Sequence, residues 1–267
     1  MNRQVAISAC STLPQDYTVP DELVRDLRRA DDFIQMAVIS AFAATAQAPA
    51  RDISPEEIGV FIGTAFGPLE TNFESLGSLI DDGEGQISPT LFSHSVYNSA
   101  AGYVARLLDI RGPALTITNY GWPFLIALEE ARTAVASGRI SRAVVIGVET
   151  YSELLADAYR RSYNVEAVPW ERNAVAWVLD PLSETGGALC RLEGVLLSEA
   201  DADSADFLTR RDESFSDSAG CGAIACHPMA YADALTEMVS GMAGLPAGEK
   251  KWTIEATFGR AEISLLK

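Results

Sequence analysis

The segment at 111–149, RGPALTITNYGWPFLIALEEARTAVASGRISRAVVIGVE, constrains this chain more than any other. Gly112-Pro113 leads into a short apolar, β-branched run at 114–118, which predicts a buried strand. Residues 119–122, Asn-Tyr-Gly-Trp, interrupt that run. Pro123 then suits the first turn of a helix, where its missing N–H costs nothing. Phe124, Leu125, Leu128 and Ala131 recur at helical spacing, and Gly138 closes the helix. A second apolar run at 143–148 completes a β-α-β unit. Strands apolar throughout predict a parallel sheet covered on both faces.

A strand that feeds a helix through a tight turn lifts one side chain clear of the sheet. It also aims helix N–H groups at developing negative charge, so enzymes often mount a nucleophile there. The apex of this turn offers Asn119, Tyr120, Gly121 and Trp122. Among these only the Tyr120 phenol is even weakly competent. The turn has the form of a catalytic elbow without its reactive atom.

Composition narrows the function classes. A net charge of −17 disfavours nucleic acid and anionic membrane surfaces as partners. The 267 residues, 48% hydrophobic, suffice for a sizeable core in one large domain or two small ones. No apolar run approaches the ~20 residues of a membrane span, and the N-terminal apolar stretch is too short for a signal peptide. Cys10, Cys190, Cys221 and Cys226 form no CxxC pair, which favours reduced thiols and a cytoplasmic protein. Cys221, Cys226 and His227 lack a second ligand cluster, so no metal and no cofactor is expected.

Four blocks resemble the β-ketoacyl synthase family, of thiolase-like fold. Residues 111–131 resemble the segment in which Gly-Pro, a strand and a turn lead to the family's catalytic cysteine at the mouth of a buried helix. Counted from Gly112, that cysteine falls on Gly121. Residues 29–37, RADDFIQMA, resemble the family's first helix, and 58–71, IGVFIGTAFGPLET, its second strand and glycine-rich loop. Residues 97–105, YNSAAGYVA, resemble the helix that crosses the dimer interface. The resemblance implies a layered α-β-α architecture with a mainly parallel central sheet and a truncated second half. Its boundaries would be a ketosynthase-like half at 1–198 and an abbreviated half at 199–267, packed as one compact domain.

The remaining chain is read more coarsely. Strand one is expected at 4–9. A helix at 32–47 should bury Phe33, Met36, Ala37, Ser40, Ala41 and Ala44. Residues 174–179 and 189–197 read as strands paired with each other, and 153–163 as a helix. Six acids between 199 and 213 mark a solvated connection. Residues 220–242 have helical character, and 252–266 ends in the family's final strand after a Phe-Gly turn.

Condensation in the resembled family needs a cysteine thiolate to hold the acyl chain and two histidines to handle the malonyl unit. Gly121 replaces the first. Of the chain's two histidines, His94 lies where the pattern has no catalytic one, and His227 lies in a weakly matching stretch. The resemblance therefore implies no catalytic residue and no activity for the isolated chain. It implies a chain-length factor, the silent subunit that pairs with an active ketosynthase as a heterodimer. Such a subunit bounds the partner's acyl or polyene tunnel in type II polyketide or fatty-acid-like synthesis, in its narrowest form of the aryl-polyene type, and meets the acyl carrier protein only indirectly. The expected partner and tunnel residues are Ser95, Val96, Tyr97, Asn98, Ser99, Leu115, Ile117, Asn119, Tyr120, Trp122 and Phe124. Trp122 and Phe124 read equally well as core aromatics or as fillers of a vacated acyl pocket. Two alternatives stand beside this reading. One is a thioester enzyme using Cys10, Cys221 or Tyr120; the other is a homodimeric scaffold that binds an acyl group or carrier.

Overall fold

The computed structural model describes residues 3–86, 88–164, 166–168, 170–182, 186–199, 229, 231–256 and 259–267. The chain opens with β1 (Val5–Thr12), α1 (Asp21–Leu27), α2 (Asp32–Gln47) and β2 (Ile58–Thr64). It continues through α3 (Leu69–Asp82), α4 (Pro89–His94), α5 (Ser99–Leu107) and β3 (Ala114–Thr118). The expected strand-turn-helix-strand closes with α6 (Pro123–Ala136) and β4 (Arg142–Glu149), followed by α7 (Glu153–Tyr163) and β5 (Asn173–Pro181). The second part holds β6 (Cys190–Glu199), α8 (Tyr231–Gly241), β7 (Glu249–Ala256) and β8 (Gly259–Leu266). Cys221, Cys226, His227 and all of the acid-rich run beyond Glu199 lie outside the described residues.

Among the described residues the strands form one eight-stranded sheet in the order β3-β2-β4-β5-β1-β6-β8-β7. β2 pairs parallel with β3 and β4, and every other neighbouring pair is antiparallel. β1 to β4 and β8 thus run one way, which keeps the sheet mainly one-directional. Side-by-side parallel pairing is nevertheless confined to β3-β2-β4, where helices supply the crossovers that parallel neighbours require. β5 and β6, expected to pair with each other, do not. β1 lies between them and pairs antiparallel with both.

The sheet is covered on both faces, giving an α-β-α layering. α6 and α8 bury Phe124, Leu128, Tyr231 and Leu235 against one face, with Trp177 and Val145 beneath. α2 and α5 bury Phe33, Met36, Ala37 and Val104 against the other, over Ile62, Val144 and Ile146. β4 alternates its side chains between the two cores, as a strand covered on both sides must. Its first residue, Arg142, is locked by a buried pair with Asp180 of β5, through Nε–Oδ1 at 2.8 Å and Nη2–Oδ2 at 2.9 Å. Nη2 also donates to the Pro49 carbonyl at 2.8 Å, which ties down the α2–β2 connection.

The second part repeats the pairing pattern of the first. β6-β8-β7 is bonded as β1-β5-β4 is, antiparallel at each step. The irregularity between Ile7 and Ala9 in β1 has a counterpart between Leu192 and Gly194 in β6. Two differences distinguish the copies. β4 goes on to pair with β2 and then β3, whereas β7 is an edge, and it carries Glu249, Lys250 and Lys251. The other edge, β3, reads as a buried strand from its apolar run, and as an exposed apolar edge of the lone chain from the resembled fold. It is half exposed, and among the described residues no strand pairs beyond it.

Candidate functional site

The elbow between β3 and α6 is shaped by Asn119. Its Oδ1 accepts the N–H of Gly121 at 2.7 Å and of Trp122 at 3.0 Å, an Asx turn that reverses the chain. The two apex N–H groups are therefore already satisfied within the turn. Trp122 caps the helix and Pro123 takes its first position, as the sequence predicts. Gly63 of β2 lets the helix start sit this close to the sheet. A Cβ there would lie 2.2 Å from the Pro123 carbonyl oxygen, backbone that cannot yield.

The space beneath the elbow is filled by aromatic side chains. Trp122 and Phe124 are buried core residues. The Trp122 ring meets Tyr231 of α8 edge-on at 5.3 Å, and Phe124 meets Trp177 of β5 at 5.2 Å. Tyr231 accepts the Leu125 N–H at 3.4 Å, and its burial raises the phenol far above its usual range. Trp177 donates to Thr236 at 2.9 Å, so α8 is fastened to the sheet directly below the turn.

A second group walls the elbow from the side of β2 and β4. Glu149, the last residue of β4, is fully buried and accepts Thr64 Oγ1–H at 2.8 Å and the N–H groups of Ala65 and Phe66. Burial pushes its carboxyl up to about 7, against the pull of those hydrogen bonds. Thr64 Oγ1 in turn accepts the Gly67 N–H at 2.9 Å, so loop 64–67 is wound around one carboxyl group. That loop presents Phe66 to Tyr120, ring centroids 5.7 Å apart, and Gly67 to Tyr97. Gly67 has φ 60°, and a Cβ on it would fall 2.6 Å from the Tyr97 ring.

The expected site residues thus divide. Asn119 shapes the apex, Trp122 and Phe124 lie below it, and beside it Tyr120 meets Phe66 while Tyr97 lies over Gly67. Val96, Asn98 and Leu115 lie on the exposed surface nearby, while Ile117 packs inward on the α6 core. Ser95 and Ser99 turn their hydroxyls to the carbonyls of Phe92 and His94. His94 is buried against Tyr103, Nε2 to phenol oxygen 3.1 Å, where it holds α4 to α5. Cys10, a conceivable nucleophile, is buried against Ser240 at 3.1 Å, and burial raises its thiol. Cys190 is pushed up to about 12 by burial and by Cys10. Neither thiol is disposed for attack.

Sequence reasoning missed Glu149, Tyr231 and the Asn173–Asp233 contact, in which the Asn173 amide donates to a carboxyl pushed up to about 6 by burial. The one sequence signal is an acid closing an otherwise apolar strand, VVIGVE, and by itself it reads as a solvated strand end. Among the described residues no cluster of three or more His, Cys, Asp and Glu could hold a metal, and no helix is long and apolar enough to cross a membrane.

Comparison with known proteins gives a consistent picture. Residues 18–161 match the model of the β-ketoacyl synthase N-terminal domain family. The chain is 24% identical over 168 residues to 3-oxoacyl-[acyl-carrier-protein] synthase 2 of Coxiella burnetii, a match covering 58% of this chain and 41% of that protein. It is 26% identical over 167 residues to the Vibrio cholerae protein of the same name, covering 58% and 40%. The chain thus spans about two-fifths of the length of the curated relatives it matches. Among solved structures, a complex of a type II polyketide synthase acyl-carrier protein with its ketosynthase superposes with TM-score 0.76 at 13% identity, covering 100% of this chain and 99% of that one. The ishigamide ketosynthase/chain length factor gives 0.71 at 14%, covering 98% and 99%. The ketosynthase ApeO with its chain length factor ApeC from Xenorhabdus doucetiae gives 0.62 at 14%, covering 99% of both. At these identities the structural likeness establishes the fold, that of thiolase-like ketosynthases.

Proposed function

The chain belongs to the β-ketoacyl synthase family, and from that premise we propose that it is the catalytically silent subunit of a type II ketosynthase pair, a chain-length factor. The observation that carries this reading is the elbow. Gly121 stands where the resemblance puts the family's cysteine, the apex N–H groups are taken up by Asn119, and aromatics fill the space below. A thiolate is needed there to hold an acyl chain, and no described thiol is acidic enough to replace it. The half-exposed apolar strand β3 supports pairing with another subunit, because soluble proteins do not leave such an edge open. In such a pair the active ketosynthase supplies the chemistry and handles the acyl carrier protein. This chain bounds the tunnel with Val96, Tyr97, Asn98, Leu115 and Tyr120. The abbreviated second half favours an aryl-polyene type of system within that class.

Co-expression tests the proposal. The chain alone should be inert towards acyl and malonyl thioesters, and should co-purify one-to-one with an active ketosynthase encoded alongside it. Gly121→Cys should not confer condensation, since the histidines are missing too, and Val96→Phe should shorten the products of the pair. Condensation by the isolated wild-type chain would overturn the reading.

A further inference from the structure

Helix α3 is built inside out. Leu69, Phe73, Leu76 and Ile80 recur at helical spacing and form one apolar stripe. On a surface helix that stripe should face the core. Instead the one buried residue of α3 is Thr71, held by Asp31 through a 2.6 Å hydrogen bond, and the stripe faces solvent, with Ile80 71% exposed. Phe92, Val96, Tyr97, Tyr120 and Leu115 carry the exposed apolar surface on from α3 through the α4–α5 turn to the open edge of β3. A patch of this extent, ending at an unpaired strand, is a docking face.

The charge around the patch selects its occupant. From residue 52 to residue 105 the sequence has eight acids and neither lysine nor arginine. Glu70, Glu74 and Asp81 line one flank of the α3 stripe, all exposed. The arginines that end this stretch offer no relief: Arg106 is bound to Asp26 at 3.1 Å, and Arg111 to Asp109 at 3.0 Å and Glu56 at 3.8 Å. A second copy of this chain docking through the same face would bring an equally acidic surface to the contact. Like charges in juxtaposition oppose such a contact.

We infer that this face recognises a different chain, whose matching apolar surface is rimmed by lysine and arginine, and that the acidic flank of α3 excludes self-pairing. The inference rests on the reading of the protein as one half of a ketosynthase pair, and it specifies how that pair is selected over a homodimer. Exposed charges flanking an apolar contact act mainly on the association rate, and salt screens them.

The test mixes the full-length chain with the active ketosynthase encoded alongside it and follows association by stopped-flow fluorescence. The wild-type rate should fall roughly tenfold or more as NaCl rises from about 50 mM to about 500 mM. Glu70→Lys, Glu74→Lys and Asp81→Lys combined should slow association roughly tenfold at low salt and reverse the salt dependence. The neutral Glu70→Gln, Glu74→Gln, Asp81→Asn variant should flatten it. These positions are exposed, and circular dichroism checks that both variants are folded. A complex whose rate ignores both salt and these substitutions would overturn the inference while leaving the pairing intact. Self-association as tight as the mixed complex would overturn it as well. The absence of any mixed complex at every salt concentration would sink both the inference and the pairing it rests on.

Discussion

Glu149 is the described carboxyl group whose chemistry departs furthest from its ordinary solution behaviour. Folded, its carboxyl is pushed up to about 7, whereas its ordinary value is 4.5. Between those limits the folded state keeps a proton that the unfolded state has released, so stability is highest at the acid end and falls as pH rises towards about 7. Asp233, moved from 3.8 to about 6 by burial, adds a change of the same sign over a lower window. Tyr97 and Tyr231 are the other titratable groups that sense the Glu149 charge. Glu149→Gln should flatten the pH dependence of the urea-unfolding free energy between about pH 5 and pH 7, removing on the order of 3 kcal/mol. An unchanged slope in the variant would assign it to other groups. Gly121 and the Pro123 helix start were legible because turn chemistry is local. Glu149 was not, because an acid after VVIGV reads as a solvated strand end until loop 64–67 is seen folded over it.

Helix α3 and strand β3 are the elements whose apolar side chains are left exposed. Periodicity gives a helix its apolar stripe, and it does not say which way the stripe points. The same holds for β3: an apolar run predicts burial, and only the strand order makes it an edge. This separation of fold from contact is measurable. Leu76→Gln with Ile80→Gln replaces side chains that pack on little within the chain, and glutamine keeps good helix propensity. Thermal stability should therefore change by no more than about 1 kcal/mol, as for other surface substitutions. Co-purification with the ketosynthase should weaken by roughly tenfold or more, since apolar anchors dominate such contacts. A large loss of thermal stability would mean that the stripe belongs to this chain's own core.

At the scale of the whole molecule the sheet has two ends of opposite character. β3 offers exposed Leu115 and no charge, whereas β7 carries Glu249, Lys250 and Lys251, with Lys251 paired to Glu262 of β8 at 2.5 Å. Charge on an edge strand discourages further pairing. Lys250→Val with Lys251→Val should therefore produce concentration-dependent species larger than the wild type's, seen by light scattering. Species of unchanged size would show that β7 is protected by something other than its lysines. The repeated pattern β1-β5-β4 and β6-β8-β7 was foreseeable only as a resemblance. The choice of β1 as the strand between β5 and β6 is a pairing between distant segments, and no local feature of either strand announces it.

The outward stripe of α3 has a consequence beyond the finished assembly. If the proposed pairing holds, a polypeptide that leaves the ribosome with this apolar face uncovered is safe only in company, so its abundance in a cell follows how much of its mate is made. Copies in surplus would meet a protease first. Synthesis of the two chains would then have to be matched, and a shortage of one should appear as loss of the other.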